Sequence, residues 1–75
     1  MLESLSPREL EVLKQIIEGA TNLIIAKKLY ISVATTKAHV SSIFRKLNVN
    51  NRVVAAVKGA FLLKDLEEKK KLSEN

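Results

Sequence analysis

The sequence contains no cysteine, so neither a disulfide framework nor a thiolate metal site can stabilise this small chain. Only two glycines and one proline interrupt it, which favours long regular elements. No run approaches the roughly 20 apolar residues that cross a bilayer. The N-terminus, MLESLSPREL, lacks the basic-then-apolar layout of a secretion signal. These absences predict one small cytoplasmic domain that is stabilised by helix packing, with dimerisation as a further source of stability.

Acidic residues are also missing from the middle of the chain, since none lies between Gly19 and Lys64. A solvated surface generally mixes both signs of charge. A folded segment that carries cations alone therefore favours a polyanion as its partner. The basic residues of this segment are Lys27, Lys28, Lys37, Arg45, Lys46, Arg52, Lys58 and Lys64.

Apolar spacing and capping residues predict an all-α, four-helix bundle-like domain with a central helix-turn-helix, over residues 1–64. The first helix opens with Ser6 as its N-cap and Pro7 at its first position, and Glu9 completes a capping box. Gly19 is expected to end this helix in a left-handed conformation.

The second and third helices are joined by a brief connection, Tyr30 to Ser32, which is the layout of a helix-turn-helix. The second begins at Thr21 or Asn22, either of which can cap it. The third runs from about residue 33 to residue 47, with Ser32 as its cap.

The two faces of the third helix differ in composition when residues are placed at about 100° per step. The inner face is a stripe of Thr36, Val40, Ile43 and Leu47. The outer face carries short side chains and two cations: Ala34, Lys37, Ala38, Ser41, Ser42 and Arg45. Alanine and serine allow close approach to another surface, and the two cations supply charge at both ends of the contact.

A fourth helix is predicted from about Arg52 to at least Leu63, capped by Asn50 or Asn51. It has too many apolar residues for one side of a surface helix, so some either pack in the core or form a dimer face. The residues with these two interpretations are Val53, Val57, Ala60 and Phe61. Residues 65–75, rich in lysine and glutamate, are expected to be a charged tail that frays.

Several spaced motifs extend over residues 5–57: Leu5-Ser6-x-Arg8-Glu9-x-Glu11-Val12-Leu13, Gly19-x-x-Asn22, Ile25-Ala26-x-x-Leu29-x-Ile31-Ser32, Thr35-x-Lys37-x-His39, Lys46-Leu47-x-Val49 and Asn51-Arg52. In these residues the chain resembles the LuxR/GerE-type helix-turn-helix domain of bacterial response regulators and quorum-sensing regulators. The resemblance implies a four-helix fold whose third helix enters the major groove of DNA. It also implies a fourth helix that, in several family members, pairs two domains across a two-fold axis.

The resemblance further implies roles for individual residues. By position, the base-reading residues are Lys37, Ala38 and Ser41. The residues expected to contact phosphate are Asn22, Lys27, Thr35, His39, Lys46 and Arg52, to which Arg45 is added from its place on the outer face. Family domains are generally joined to a receiver or ligand-binding domain, which is an expected partner outside this chain.

The chain departs from the family pattern in three places. Leu23-Ile24 replaces what is generally a polar or charged pair, Ala34 stands where a charged residue is common, and Thr36 where valine is common. The first departure has three interpretations: burial against the first helix, contact with another domain, or neutral drift.

The sequence predicts sequence-specific binding of double-stranded DNA by a homodimer, without a cofactor and without enzymatic activity. His39 is the single histidine and has no further ligands at suitable spacing, which argues against a metal site. Two rivals stay open. A protein-interaction module with the same fold is favoured by Leu23-Ile24 and the apolar fourth helix, and an architectural binder would hold DNA without sequence preference.

Overall fold

Residues 2–73 fold into four α-helices. The computed structural model describes the backbone of residues 2–73 and the side chains of residues 2–71. A 3₁₀ turn (Leu2–Ser4) precedes α1 (Pro7–Ile17), α2 (Asn22–Leu29), α3 (Val33–Leu47) and α4 (Arg52–Ser73), and no strand occurs between residues 2 and 73. The predicted all-α class is therefore confirmed.

Side chains that bond to free backbone groups set the ends of the first two helices. Ser6 Oγ accepts from the Glu9 N–H at 3.1 Å, and Glu9 Oε1 accepts from the Ser6 N–H at 2.9 Å, which completes the predicted capping box. Gly19 ends α1 with φ at +88°. Thr21, not Asn22, caps α2, since its Oγ1 accepts from the Ile24 N–H at 3.2 Å.

The remaining helix starts follow the same rule. Ser32 caps α3 as predicted, because its Oγ accepts from the Thr35 N–H at 2.9 Å. Asn51, not Asn50, caps α4 through a 2.8 Å bond from the N–H of residue 54. Tyr30 adopts a left-handed conformation, φ +58°, in the connection between α2 and α3. The chain therefore turns from α2 into α3 within three residues.

The core lies where the first three helices meet. Its buried members are Val12, Leu13, Ile16, Ile25, Val40, Ile43 and Leu47. The stripe predicted for α3 is buried along its whole length, and this includes the polar Thr36. Thr36 Oγ1 donates to the Ser32 carbonyl at 3.0 Å, so its burial leaves no unsatisfied hydroxyl.

Helix α4 packs on α1 through its smallest side chains. Ala55 and Gly59 are buried, and a Cβ at position 59 would lie 2.8 Å from Leu13 Cδ1. The opposite face of α4 is solvent-accessible: Val53 is 73% exposed, Val57 54% and Phe61 71%, and Ala60 is exposed as well. Of the two interpretations of these residues, the structure excludes core packing.

Helix α4 extends into residues 65–75, the segment that the sequence predicts to be a charged tail. The helix continues through Ser73, and residues 74 and 75 of the expected tail lie outside the described residues. Leucine, lysine and glutamate are strong helix formers, and Lys69 pairs with Asp65 one turn away at 3.3 Å. These local preferences extend the helix even though the side chains of residues 64–71 are exposed.

Within residues 2–73, no helix combines the length and the apolar composition that crossing a membrane requires.

Candidate nucleic-acid interface

One face of α3 presents short side chains and cations to solvent. Lys37, Ala38 and Ser41 are all exposed, on the side of the helix opposite the buried stripe. Arg45 is exposed on the same side, one turn beyond Ser41. The structure therefore brings together, on an accessible surface, the three predicted base-reading residues and one predicted phosphate contact. We call Lys37, Ala38, Ser41 and Arg45 the outer face of α3.

Further polar groups flank this face at the end of α2 and the start of α3. Lys27 and Lys28 are both exposed in the last turn of α2, so exposure does not choose between them. Thr35 is exposed beside the Ser32 cap, from whose hydroxyl it accepts a hydrogen bond at 2.8 Å. His39 is half-buried. Because the N-terminal end of a helix carries partial positive charge, the first turn of α3 favours an anion.

A buried carboxylate joins α1 to α3. Glu9 is only 5% exposed, and its Oε1 accepts from Lys46 Nζ at 2.7 Å in addition to its capping bond. Its Oε2 accepts from Ser42 Oγ. Ser42, which helical spacing placed on the outer face, is consequently half-buried. We call Glu9, Ser42 and Lys46 the carboxylate cluster.

The partners of Glu9 keep it ionised. Burial alone raises the pKa of a carboxyl group. Here the hydrogen bonds from Lys46, Ser42 and the Ser6 N–H outweigh burial and lower the pKa of Glu9 to about 2. The cluster therefore joins a buried carboxylate, whose two oxygens are both satisfied, to the half-buried Lys46, and it fixes the first turn of α1 against the second half of α3.

Lys46, which the sequence predicts as a phosphate contact, thus has a partner within the protein. Removing one partner of a buried ion pair costs about 3–5 kcal/mol, whereas an exposed ion pair gains about 1 kcal/mol or less. Because Lys46 is 30% exposed and its ammonium has three donors, a phosphate could be bound there only if the bond to Glu9 stays in place. Sequence reasoning missed the pair because nothing in the spacing of residues 37 positions apart signals it.

Arg52 and Asn22, also expected at phosphate, are bonded to each other. Arg52 donates one hydrogen bond to Asn22 Oδ1 at 2.8 Å and another to the Ala20 carbonyl at 2.7 Å. Both side chains are half-buried. These bonds tie the start of α4 to the start of α2, so the structure gives Arg52 a role within the fold that the sequence did not predict.

Lys58 also forms a hydrogen bond within the protein. Its Nζ donates to the Leu47 carbonyl at the end of α3, at 2.7 Å. Such a bond satisfies a free carbonyl and places a cation at the negative end of the helix. Three of the eight cations of the acid-free segment are therefore engaged internally. The five exposed ones are Lys27, Lys28, Lys37, Arg45 and Lys64.

The apolar pair at the start of α2 is accessible. Leu23 is 54% exposed and Ile24 44%. Of the three interpretations offered by the sequence, the structure therefore excludes burial against α1.

Two open grooves between α1 and α4 have volumes of about 290 and 550 Å³, and neither is lined by a residue of α3. Among the residues with described side chains, no group of three or more histidine, cysteine, aspartate or glutamate residues has a geometry that could hold a metal ion. Both grooves therefore lie apart from the outer face of α3.

Comparison with known proteins agrees with this geometry. A family model described as bacterial regulatory proteins, luxR family, matches residues 3–58. The chain belongs to the luxR family. It is thus a helix-turn-helix domain of the DNA-binding type that characterises transcription regulators, and its relatives are regulators, not enzymes.

The luxR-family relatives include a nitrate/nitrite response regulator protein homolog from Haemophilus influenzae, 50% identical over 56 residues, which make up 75% of this chain and 27% of that protein. The transcriptional regulatory protein LiaR of Bacillus subtilis is 49% identical over 55 residues, 73% of this chain and 26% of LiaR. The crystal structure of the response regulator ChrA, from a heme-sensing two-component system, matches 79% of this chain and 29% of its own with a TM-score of 0.75 and 41% identity. The chain spans about a quarter of the length of these curated relatives.

Proposed function

We propose that this chain binds double-stranded DNA sequence-specifically, with α3 in the major groove, as the reading domain of a bacterial transcription regulator. The observation that carries the proposal is the outer face of α3, whose four residues are exposed on a helix anchored from behind by a fully buried stripe. The major groove admits an α-helix, and short side chains let that helix approach the base edges. A DNA partner would also account for the cytoplasmic location that the sequence predicts.

Each residue of this face has a role that its chemistry supports. Lys37 lies near the start of α3, where a long cation reaches the O6 and N7 atoms of guanine. Ala38 is suited to apolar contact with a thymine methyl group, and the Ser41 hydroxyl to either a donor or an acceptor on a base edge. Arg45 is placed to bind phosphate.

Phosphate contacts would fix the position of α3 without reading sequence. The exposed groups available for this are Lys27 at the end of α2, Thr35 in the first turn of α3 and Arg45, with the half-buried His39 beside them. Because such contacts release condensed counterions, affinity should fall steeply as salt concentration rises. In this proposal Lys46 and Arg52 support DNA binding by stabilising the fold instead.

The exposed stripe of α4 supports pairing of two domains. Val53, Val57 and Phe61 recur every four residues, so they lie on one side of the helix. Together with Ala60 they form an accessible apolar face that would be isologous in a two-fold dimer. Two copies paired in this way would recognise half-sites separated by about one turn, roughly 10 bp.

Lys37→Ala is the variant that tests base reading. A preferred duplex is first selected from random DNA by the wild-type chain, and affinities are then measured on it and on a scrambled duplex. K37A should lose about tenfold or more on the preferred duplex, since a good base contact is worth about 1–3 kcal/mol, and far less on the scrambled one. Lys64→Ala removes an exposed cation outside α3 and should change the affinity for either duplex little. An equal loss on both duplexes for K37A would contradict the base-reading role.

A protein-binding role is the second candidate, and the exposure of Leu23 and Ile24 is the observation that favours it. A chain that binds only protein should not bind DNA at micromolar protein concentration, and this separates the second candidate function from DNA binding.

A further inference from the structure

A chain of hydrogen bonds leads from the buried carboxylate cluster to the outer face of α3. Ser42 Oγ donates to Glu9 Oε2, and Arg45 Nη2 donates to the same Ser42 oxygen at 3.4 Å. Glu9 is buried and belongs to α1, whereas Arg45 is exposed and lies on α3. Ser42 therefore lies between a buried anion and an exposed cation.

The chemistry of the Ser42 hydroxyl group fixes the direction of these two hydrogen bonds. A serine has one hydrogen to donate and two lone pairs that accept. With its hydrogen given to the carboxylate, Ser42 can only accept from its other neighbours, and donation to an anion strengthens the oxygen as an acceptor. The guanidinium of Arg45 consists only of donors, so it matches the group that Ser42 is left to present.

The 3.4 Å contact is long, and such bonds are weak individually. The contact would act by orienting the Arg45 side chain. A free arginine side chain loses much rotamer freedom when it binds a ligand, and a contact that restricts it beforehand reduces that loss.

We propose that Ser42 is a positioning residue for DNA binding, which uses the fixed Glu9 carboxylate to aim the Arg45 guanidinium at the phosphate backbone. The inference rests on the proposed function, since it takes Arg45 as a phosphate contact. It adds a residue that touches no DNA itself and for which the sequence predicted only a place on the outer face.

A double-mutant cycle tests the proposal. Dissociation constants for one duplex are measured at one salt concentration for the wild-type chain, Ser42→Ala, Arg45→Ala and the double variant. Ser42→Ala should weaken binding about threefold when Arg45 is present, the size expected of an exposed charged contact. In the Arg45→Ala background the same change should have no effect, because the group that Ser42 positions is gone.

Two further variants keep the experiment decisive. Ser42→Thr retains the hydroxyl and should bind within about twofold of wild type. Far-UV circular dichroism checks folding, and Ser42→Cys, a weaker donor and acceptor of similar size, replaces Ser42→Ala in the cycle if the alanine variant does not fold.

The outcomes separate this inference from the function it rests on. An equal loss in both backgrounds would mean that Ser42 acts through the general stability of the fold, and no loss would mean that it does not act on binding. Either result overturns the inference alone. Absence of DNA binding by the wild-type chain would overturn the proposed function and the inference with it.

Discussion

Replacing Glu9 with glutamine removes the charge that joins α1 to α3 while keeping the shape of the side chain. In the wild-type chain the carboxylate accepts from Lys46, Ser42 and the Ser6 N–H. Glutamine has one acceptor oxygen in place of two, and its amide group brings two hydrogens toward donors that are already present. The variant therefore tests the stabilisation that this cluster provides.

The pKa of Glu9 sets the magnitude. A carboxyl pKa lowered from 4.5 to about 2 corresponds to about 3 kcal/mol of stability at neutral pH. In a small domain, 1 kcal/mol shifts the midpoint of thermal unfolding by about 4–8 °C. Glu9→Gln should therefore lower Tm by roughly 10–25 °C at pH 7.

The pH dependence has a definite sign. Because the folded-state pKa is depressed, the stabilisation is present above the unfolded pKa, near 4.5, and is lost as pH falls toward about 2. The difference in unfolding free energy between wild type and Glu9→Gln should be constant above about pH 5.5 and should shrink steadily below pH 4.5.

Urea unfolding monitored by circular dichroism between pH 2.5 and 7 measures this difference. Glu11→Gln is the matched control, since Glu11 lies on the same helix and forms only an exposed 3.0 Å ion pair with Arg8. It should change stability by about 0.5 kcal/mol or less. The reasoning would be refuted if Glu9→Gln lowered the free energy of unfolding as little as the control does. It would also be refuted if the difference from wild type did not diminish at low pH.

Three further variants probe other contacts. Gly59→Ala should lower the free energy of unfolding by up to about 2 kcal/mol, because its Cβ would lie 2.8 Å from Cδ1 of the fully buried Leu13, and the cost of about 1–3 kcal/mol outweighs a gain of roughly 1 kcal/mol in helix propensity. A gain in stability in thermal unfolding would contradict the close helix packing. Val57→Glu should leave the free energy of unfolding almost unchanged, since the residue is 54% exposed, but it should abolish cooperative binding to two half-sites. Sedimentation of the complex with a duplex that carries both half-sites checks this. Pairing retained in the variant would rule out the exposed stripe of α4 as the dimer face. Arg52→Gln should lower the free energy of unfolding by about 1–2 kcal/mol through its lost hydrogen bonds, and it should leave the salt dependence of DNA binding unchanged. A logarithmic salt slope reduced by about 0.9 would instead make Arg52 a phosphate contact.

Local signals predicted the helices well. Ser6, Glu9 and Ser32 cap α1 and α3 as expected because capping depends on residues within one turn of each other. The buried stripe of α3 followed from helical spacing, which is likewise a local property. Where two capping residues were equally suitable, as with Thr21 and Asn22, the sequence left the choice open: in the structure Thr21 makes the capping bond, and Asn22 Oδ1 accepts from the distant Arg52.

Contacts between distant segments escaped prediction. Helical spacing put Ser42 on the outer face, but the first turn of α1 packs beside it and brings the Glu9 carboxylate to its hydroxyl. Lys46 and Arg52 were predicted as phosphate contacts from family position and charge, and only the fold shows that each has a protein partner. The exposed face of α4 was ambiguous because that helix is apolar on both sides, and the buried Gly59 shows which side faces α1.

The claim that the outer face of α3 binds DNA is tested most directly by titrating a labelled mixed-sequence duplex at low salt. The wild-type chain should bind at micromolar concentration, with a logarithmic salt slope of about −2 if Lys27 and Arg45 each neutralise one phosphate. A variant that carries Lys37→Glu and Arg45→Glu should keep its circular dichroism spectrum and lose binding. Absence of wild-type binding, or unchanged affinity in that variant, would contradict the account.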